Sequence, residues 1–294
     1  MAQKPVAPLK LNEVELEGVV RVAKPKLFKH MADISGLYRS RTLISGGNNY
    51  AGFREYCPGD EVRSINWRAS VRSRQFQVDQ HQQEKSGRWY ICLDVSASMR
   101  FPESDKWLLA QQLADAFSYI LLACGNELGM VAYSDRIHQY CPLGVGRNQY
   151  KKLHKLLEQL LPDRKGGDSL LQSSLPYLKQ QASVIVISDF LQSDFMRHDL
   201  DRLRKAGHYL HVFHVLSRHE TDLSANGIVL LADIETGELL PVELTEQARE
   251  LAAAMQRRQS QALQAYCKEH HFDYSFTTGD NDWKTVILNH ISCL

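Results

Sequence analysis

Trp89-Tyr90-Ile91-Cys92-Leu93-Asp94-Val95-Ser96-Ala97-Ser98-Met99 is the stretch on which the fold turns. Its first five residues are apolar and favour a strand; a carboxylate and two hydroxyls follow at alternate positions, Asp94, Ser96 and Ser98. A strand that ends by presenting oxygen atoms suits a hard cation. Mg2+ takes oxygen ligands at about 2.0–2.1 Å in a near-octahedral shell and keeps several waters, and Mn2+ suits the same donors. One carboxylate with two neutral hydroxyls leaves net positive charge on such an ion, so that it can accept a carboxylate from outside. The same residues also fit an Asp/Ser turn after a strand, with Ser98 or Ser104 capping the next helix.

Downstream of Met99 the pattern alternates between helix and strand. Apolar spacing predicts a helix over 105–124, closed by Gly125, then a strand over 127–134 with a hairpin partner at 137–141. A helix over 149–161 stops at Pro162, and a polar loop, 163–169, leads into a further helix reaching Gln181. Ser183-Val-Ile-Val-Ile187 is short and almost wholly apolar, as expected of a parallel strand covered on both faces, and it ends at Ser188-Asp189. A helix over 194–206, a strand over 209–216, a hairpin turn at 233–238, a long helix over 245–270, a strand over 272–276 and a last helix from Asp282 complete the chain. Interleaved helices and apolar strands imply α/β architecture with a doubly wound, mostly parallel sheet. His208, His211 and His214, spaced by three, fall on alternating faces of a strand and read as structural rather than as one metal cluster.

Upstream of Trp89 the character differs. Residues 1–88 carry 15 Lys+Arg against 9 Asp+Glu, whereas 89–294 carry 20 against 25, so a basic first part precedes an acidic second. The expected division is 1–88, an arm and a small β-rich module, and 89–294, the α/β domain with its strand and helix extension. To about Lys26 the prolines at 5, 8 and 25 predict a loosely held arm; a basic amphipathic helix follows over 26–41. Gly46-Gly47-Asn48-Asn49-Tyr50-Ala51-Gly52 reads as a glycine-rich turn, one that lacks the Gly-Lys-Ser/Thr ending of a phosphate loop. Five arginines between Arg54 and Arg74 read as a solvated basic face, since the chain has neither a basic domain nor an RNA-type aromatic signature.

The totals bound the rest. With 294 residues, 44% hydrophobic and 23% charged, the chain is globular in composition. Its longest apolar stretch, around 116–124, is far short of the roughly 20 residues that cross a bilayer, and the first residues lack the apolar core of a signal peptide. A cytoplasmic location is expected. Six cysteines without paired spacing fit reduced thiols rather than a disulfide framework or a zinc site.

Ligands of open α/β sheets gather at the carboxyl ends of the strands where strand order reverses. Asp94 ends the first strand of the α/β part, Asp189 ends the strand expected beside it, and the loop Gly166-Gly167-Asp168-Ser169 can reach the same crevice. In this the sequence resembles the von Willebrand factor A domain, whose metal-ion-dependent adhesion site uses Asp-x-Ser-x-Ser after its first strand, a loop Thr, and an Asp after its fourth. Asp94, Ser96, Ser98 and Asp189 match that pattern; at the loop the Thr is replaced by Asp168, with Ser169 as the alternative ligand. Upstream, Arg54-Glu-Tyr-Cys-Pro-Gly-Asp-Glu-Val-Arg-Ser-Ile-Asn-Trp67, followed by Leu93-Asp-Val-Ser-Ala-Ser-Met99, is similar to the bacterial domain-of-unknown-function-58 family over residues 36–240, with Asn66 where Asp is usual. The resemblance implies a metal-dependent adaptor or chaperone acting with a MoxR-type AAA+ ATPase. Many relatives carry transmembrane helices ahead of the motif; none is expected here.

The expected function is therefore a non-enzymatic protein-interaction module with Mg2+ or Mn2+ held by Asp94, Ser96, Ser98 and Asp189 and by Asp168 or Ser169. Two alternatives stand beside it. One is a metal-dependent phosphatase-like enzyme using Asp94 as nucleophile, although Ser96 stands where such enzymes carry their general acid. The other is a structural domain whose metal site has degenerated.

Overall fold

Leu16, Val19, Ala23 and Leu27 recur at three- and four-residue intervals, and in the computed structural model they form the buried stripe of one helix, α1 (Glu13–Leu37). The structure describes residues 9, 11–37, 49–57, 65–73, 75–82, 87–100, 106–163, 169–179, 181–191, 193–221, 227–232 and 239–294. The arm expected up to Lys26 is thus helical from Glu13. Asn12 Oδ1 accepts a hydrogen bond from the Val14 amide (3.0 Å) where α1 begins. Pro25 lies inside the helix; its ring removes one backbone donor, and the buried residues on either side of it hold the helical path.

The chain divides into two compact units, Ser35–Ser86 and a larger one of Met1–Ile34 with Gly87–Leu294. The smaller holds β1 (Asn49–Glu55), α2 (Trp67–Ser73) and β2 (Gln77–Gln82), with β1 antiparallel to β2. Asn66 caps α2, its Oδ1 accepting from the Ala69 amide (3.0 Å). Residues 49–52, expected in the glycine-rich turn, belong instead to β1, where Asn49, Tyr50 and Gly52 pair with Gln82, His81 and Gln80; residues 46–48 of that turn, residues 58–60 and the turn expected at 233–238 lie outside the described residues.

The larger unit continues with β3 (Arg88–Asp94), α3 (Lys106–Ala123), β4 (Glu127–Tyr133), β5 (Ile137–Gly144), α4 (Gly146–Gln159), a 3-10 segment (Leu171–Tyr177) and β6 (Ser183–Ser188). Then come α5 (Ser193–Lys205), β7 (Tyr209–Leu216), α6 (Arg218–Thr221), the antiparallel pair β8 (Gly227–Ala232) and β9 (Leu239–Leu244), α7 (Glu246–Glu269), β10 (Asp273–Thr278) and α8 (Trp283–Cys293). Six strands form one sheet in the order β10-β7-β6-β3-β4-β5, parallel throughout except for β5 on the edge. This is the doubly wound α/β fold that the von Willebrand factor A resemblance implies. The full helix expected after Ser169 is instead the 3-10 segment. Pro176 lies within it, and the hydroxyls of Ser173 and Ser174 bond back to the carbonyls of Leu170 and Leu171 (2.7 and 2.6 Å), competing with the α-helical ladder.

Strand alternation sorts the core into two layers. Trp89, Ile91 and Leu93 face one side with residues of α1, α3, α4 and α8, whereas Tyr90 and Cys92 face the other with residues of α5 and α7. Each fully buried Leu or Ile contributes on the order of 1.5–3 kcal/mol, so covering both faces of β3 and β6 fixes their register firmly. From β3 the chain winds to β4 and β5 on one side, then returns past α4 to β6 on the other. The strand order therefore reverses at β3, and the crevice there opens between the carboxyl ends of β3 and β6.

Candidate metal centre

Register carries Asp94 and Asp189 to this crevice. Leu93 pairs with Ile187, so the last residue of β3 lies beside Ser188, with Asp189 next in the chain. Asp94 shares the face of Tyr90 and Cys92 and is fully buried. Its Oδ1 accepts the Ser96 amide (2.8 Å); its Oδ2 accepts the hydroxyls of Ser169 (2.8 Å) and Ser188 (2.7 Å). Ser96 Oγ and Ser98 Oγ lie 3.0 Å apart. Four of the expected ligands, Asp94, Ser96, Ser98 and Ser169, are thus in one hydrogen-bonded group, and Asp168 lies outside the described residues. Burial, reinforced by the charge of Asp189, pushes the Asp94 carboxyl up to about 6 against the hydrogen bonds from Ser188 and Ser96.

Asp189 is held by a group the sequence reading did not single out. Lys106, the first residue of α3 and fully buried, donates from Nζ to Asp189 Oδ2 (3.0 Å) and to Glu220 Oε1 (2.7 Å). Glu220 is fixed in turn, its Oε2 accepting the Ser217 amide (2.6 Å) and its own amide donating to Ser217 Oγ (3.1 Å). The Leu191 amide reaches Asp189 Oδ1 (3.3 Å), and Phe190, between them, has a left-handed φ of 50° that turns the chain sharply after the carboxylate. The two carboxylates flanking the ammonium raise the Lys106 pKa over the opposing effect of burial.

The donor set fits a hard divalent cation. It consists of oxygens alone, and the 3.0 Å between the Ser96 and Ser98 hydroxyls equals the separation of about 3.0 Å between adjacent ligands of an octahedron drawn at Mg2+–oxygen distances. Charge agrees with this: Lys106 already serves Asp189 and Glu220, while Asp94 has hydroxyl and amide donors but no cationic side chain among the described residues as a hydrogen-bond partner. Of the partners not anticipated, Ser188 was legible as the residue before Asp189. Lys106 had only the weak signal of a lysine at the start of a helix, where acidic residues are favoured.

A second polar group stands at the end of β4. Ser134 Oγ, with one proton to give, lies 2.9 Å from both Asp135 Oδ1 and Asp163 Oδ2 and 2.7 Å from His138 Nε2, while the same Nε2 lies 3.0 Å from Asp163 Oδ2. A nucleophile relay needs the hydroxyl on one imidazole nitrogen and the acid on the other. Here both sit on Nε2, so the group ties a loop rather than activating Ser134. Asp163 also donates its amide to the Val95 carbonyl (2.8 Å), bracing the turn that carries Ser96.

The protein-family profile described as "Protein of unknown function DUF58" matches residues 52–262. The chain is 26% identical over 202 residues to the uncharacterized protein Rv1480 of Mycobacterium tuberculosis, covering 66% of this chain and 63% of the relative. The same figures hold for the uncharacterized protein Mb1516 of Mycobacterium bovis, so the chain spans less than two thirds of the length of these curated relatives. Among solved structures, BatB from Bacteroides thetaiotaomicron superposes at 16% identity and a TM-score of 0.47, covering 71% of this chain and 98% of that one. The VWA domain of SpRpn10 superposes at 9% identity and 0.38, covering 69% and 94%. Both scores lie below one half, and the strand order and register of the sheet itself carry the fold. No helix among the described residues is long and apolar enough to cross a membrane.

Proposed function

The chain belongs to the DUF58 family of proteins of unknown function, and from that premise and the oxygen-lined crevice we infer that it is a non-enzymatic, divalent-metal-dependent protein-interaction module. We further assign it, on the resemblance given above, the part of a cytoplasmic adaptor or co-chaperone to a MoxR-type AAA+ ATPase. The observation that supports the reading is the convergence of Asp94, Ser96, Ser98, Ser169 and Asp189 on one crevice from three separate chain segments. Asp94, Ser96 and Ser98 would hold Mg2+ or Mn2+, with Ser169 or Asp168 from the loop and Asp189 across the crevice. The ion would supply a Lewis-acidic position that a partner's carboxylate can enter. Ser188 and Ser169 orient Asp94 Oδ2, the Ser96 amide orients Oδ1, and Lys106 keeps Asp189 turned and charge-balanced. Asp94 is an unsuitable nucleophile: it is fully buried and both its oxygens accept hydrogen bonds, which disfavours the phosphatase-like alternative.

Calorimetric titration of Mg2+ and Mn2+ into the metal-stripped chain and into Asp94→Ala tests this. Wild type should bind one ion, and the variant should bind at least roughly 100-fold more weakly, since it loses the carboxylate on which the other donors converge. A MoxR-type ATPase should then be retained on immobilised wild type with Mg2+ and released by chelator. Absence of binding to wild type would favour a degenerate site, and metal binding without metal-dependent retention would remove the adaptor role.

A further inference from the structure

On the opposite face of the sheet from Asp94, a second group of potential metal donors comes together from three elements. His211 on β7 pairs in register with Asp273 on β10, so their side chains project to the same face, and His30 of α1 is brought over them. His211 Nδ1 lies 3.1 Å from Asp273 Oδ2, and His30 Nε2 lies 3.9 Å from the same oxygen. One donor atom from each residue can be chosen so that all three lie within 4.8 Å of one another. His30 and His211 are buried, and Asp273 retains about a quarter of its side-chain exposure. Two further observations set this apart from an ordinary ion pair. Asp273 Oδ2 is buried without a well-directed hydrogen-bond donor among the described residues, although His211 Nδ1 is close by. That Nδ1 is also 3.2 Å from His290 Nε2, so a single nitrogen faces both a carboxylate and a second imidazole and can serve only one of them with a proton.

The geometry points to a zinc site formed by His30, His211 and Asp273, which fastens α1 to the strands β7 and β10. Zn2+ takes imidazole nitrogen and carboxylate oxygen at about 2.0–2.2 Å, which puts tetrahedral ligands roughly 3.3 Å apart; the observed 3.1 and 3.9 Å, with all three donors within 4.8 Å of one another, ask for a closure of at most about 1.5 Å. The surroundings would orient the ligands. Trp89 stacks on His211 with centroids 5.0 Å apart and would hold the plane of its imidazole, while His290, its Nδ1 2.7 Å from Ser275 Oγ, turns Nε2 toward the ligating nitrogen itself. Three protein donors leave one tetrahedral position, and His290 Nε2, 3.2 Å from His211 Nδ1, is a further donor beside it. This oxygen–nitrogen set is softer than the all-oxygen crevice around Asp94, so the two sites would select different ions.

Zn2+ titration into the full-length, metal-stripped chain against a competing chelator tests the assignment, together with the visible absorption of its Co2+ derivative. One Zn2+ should bind wild type and Asp94→Ala alike, and tetrahedral Co2+ absorption should appear in both. His30→Gln and Asp273→Asn should each weaken binding at least about tenfold, and either one decides the matter if the other misfolds. A wild type that takes up no Zn2+ overturns the proposal. So does Zn2+ affinity unchanged in both variants, or affinity lost instead in His138→Gln, which would move the ion to the group beside Ser134.

Discussion

Lys106 is the residue on which the electrostatics of the crevice turn. A fully buried ammonium is tolerated only with compensating charge, and here it stands between two carboxylates, one of which, Asp189, ends the strand beside Asp94. Lys106→Met therefore leaves Asp189 and Glu220 facing each other without their shared cation. The variant should lose about 3–5 kcal/mol in chelator, the cost of breaking a buried ion pair from one side, read from the urea midpoint. Millimolar Mg2+ should return more stability to it than to wild type, because the ion supplies charge that Asp189 then lacks. A variant as stable as wild type in chelator would mean that Lys106 does not compensate the site. Lys106 escaped the sequence reading for a physical reason: its meaning lies in Glu220, 114 residues away, and no local pattern records that contact. Asp94, Ser96 and Ser98 were legible because alternation along a strand and the turn after it are local, and Ser188 because it adjoins Asp189.

Among the elements, strands were the easier to read and the first helix the harder. Ser183–Ser188 advertises itself as a doubly covered strand by being almost wholly apolar, and the position of β6 beside β3 follows from the winding rule. In α1, by contrast, Pro25 and the polar opening suggested a broken arm, whereas Leu16, Val19, Ala23 and Leu27 align into one buried stripe only once the helix is drawn through the proline. Tertiary packing overrode a local breaker. The 3-10 segment at Leu171–Tyr177 is the converse, a stretch of helical spacing in which Pro176 and two serine hydroxyls prevailed over the pattern. If α1 is as integral to the core as its burial indicates, Leu16→Ala should cost about 2–5 kcal/mol in urea unfolding of the full chain. A cost below about 0.5 kcal/mol, the size of an ordinary surface substitution, would contradict that packing.

Over the whole molecule, the cysteines give a test of which surfaces are closed. Cys92, Cys124, Cys141 and Cys267 are buried, whereas Cys57 and Cys293 are exposed. Burial pushes Cys92 and Cys267 up to about 12 and Cys124 up to about 11, far from the thiolate form that alkylating agents attack. Brief treatment with iodoacetamide at mildly alkaline pH should therefore modify Cys57 and Cys293, and the other four should react only after urea; mass spectrometry of the digested chain reads this directly. Early labelling of Cys92 would mean that the sheet opens beneath the crevice. The docking of α1 also sets an order of assembly. His30 lies against Tyr209, His211 and Asp273, all made long after it. At about 5–20 residues per second, the stretch from His30 to Asp273 takes on the order of 10–50 s to emerge from a ribosome. Throughout that interval the stripe of Leu16, Val19, Ala23 and Leu27 has no finished sheet to rest on, so residues made well before the sheet are buried only with it, and until then they stay open to holdases and proteases.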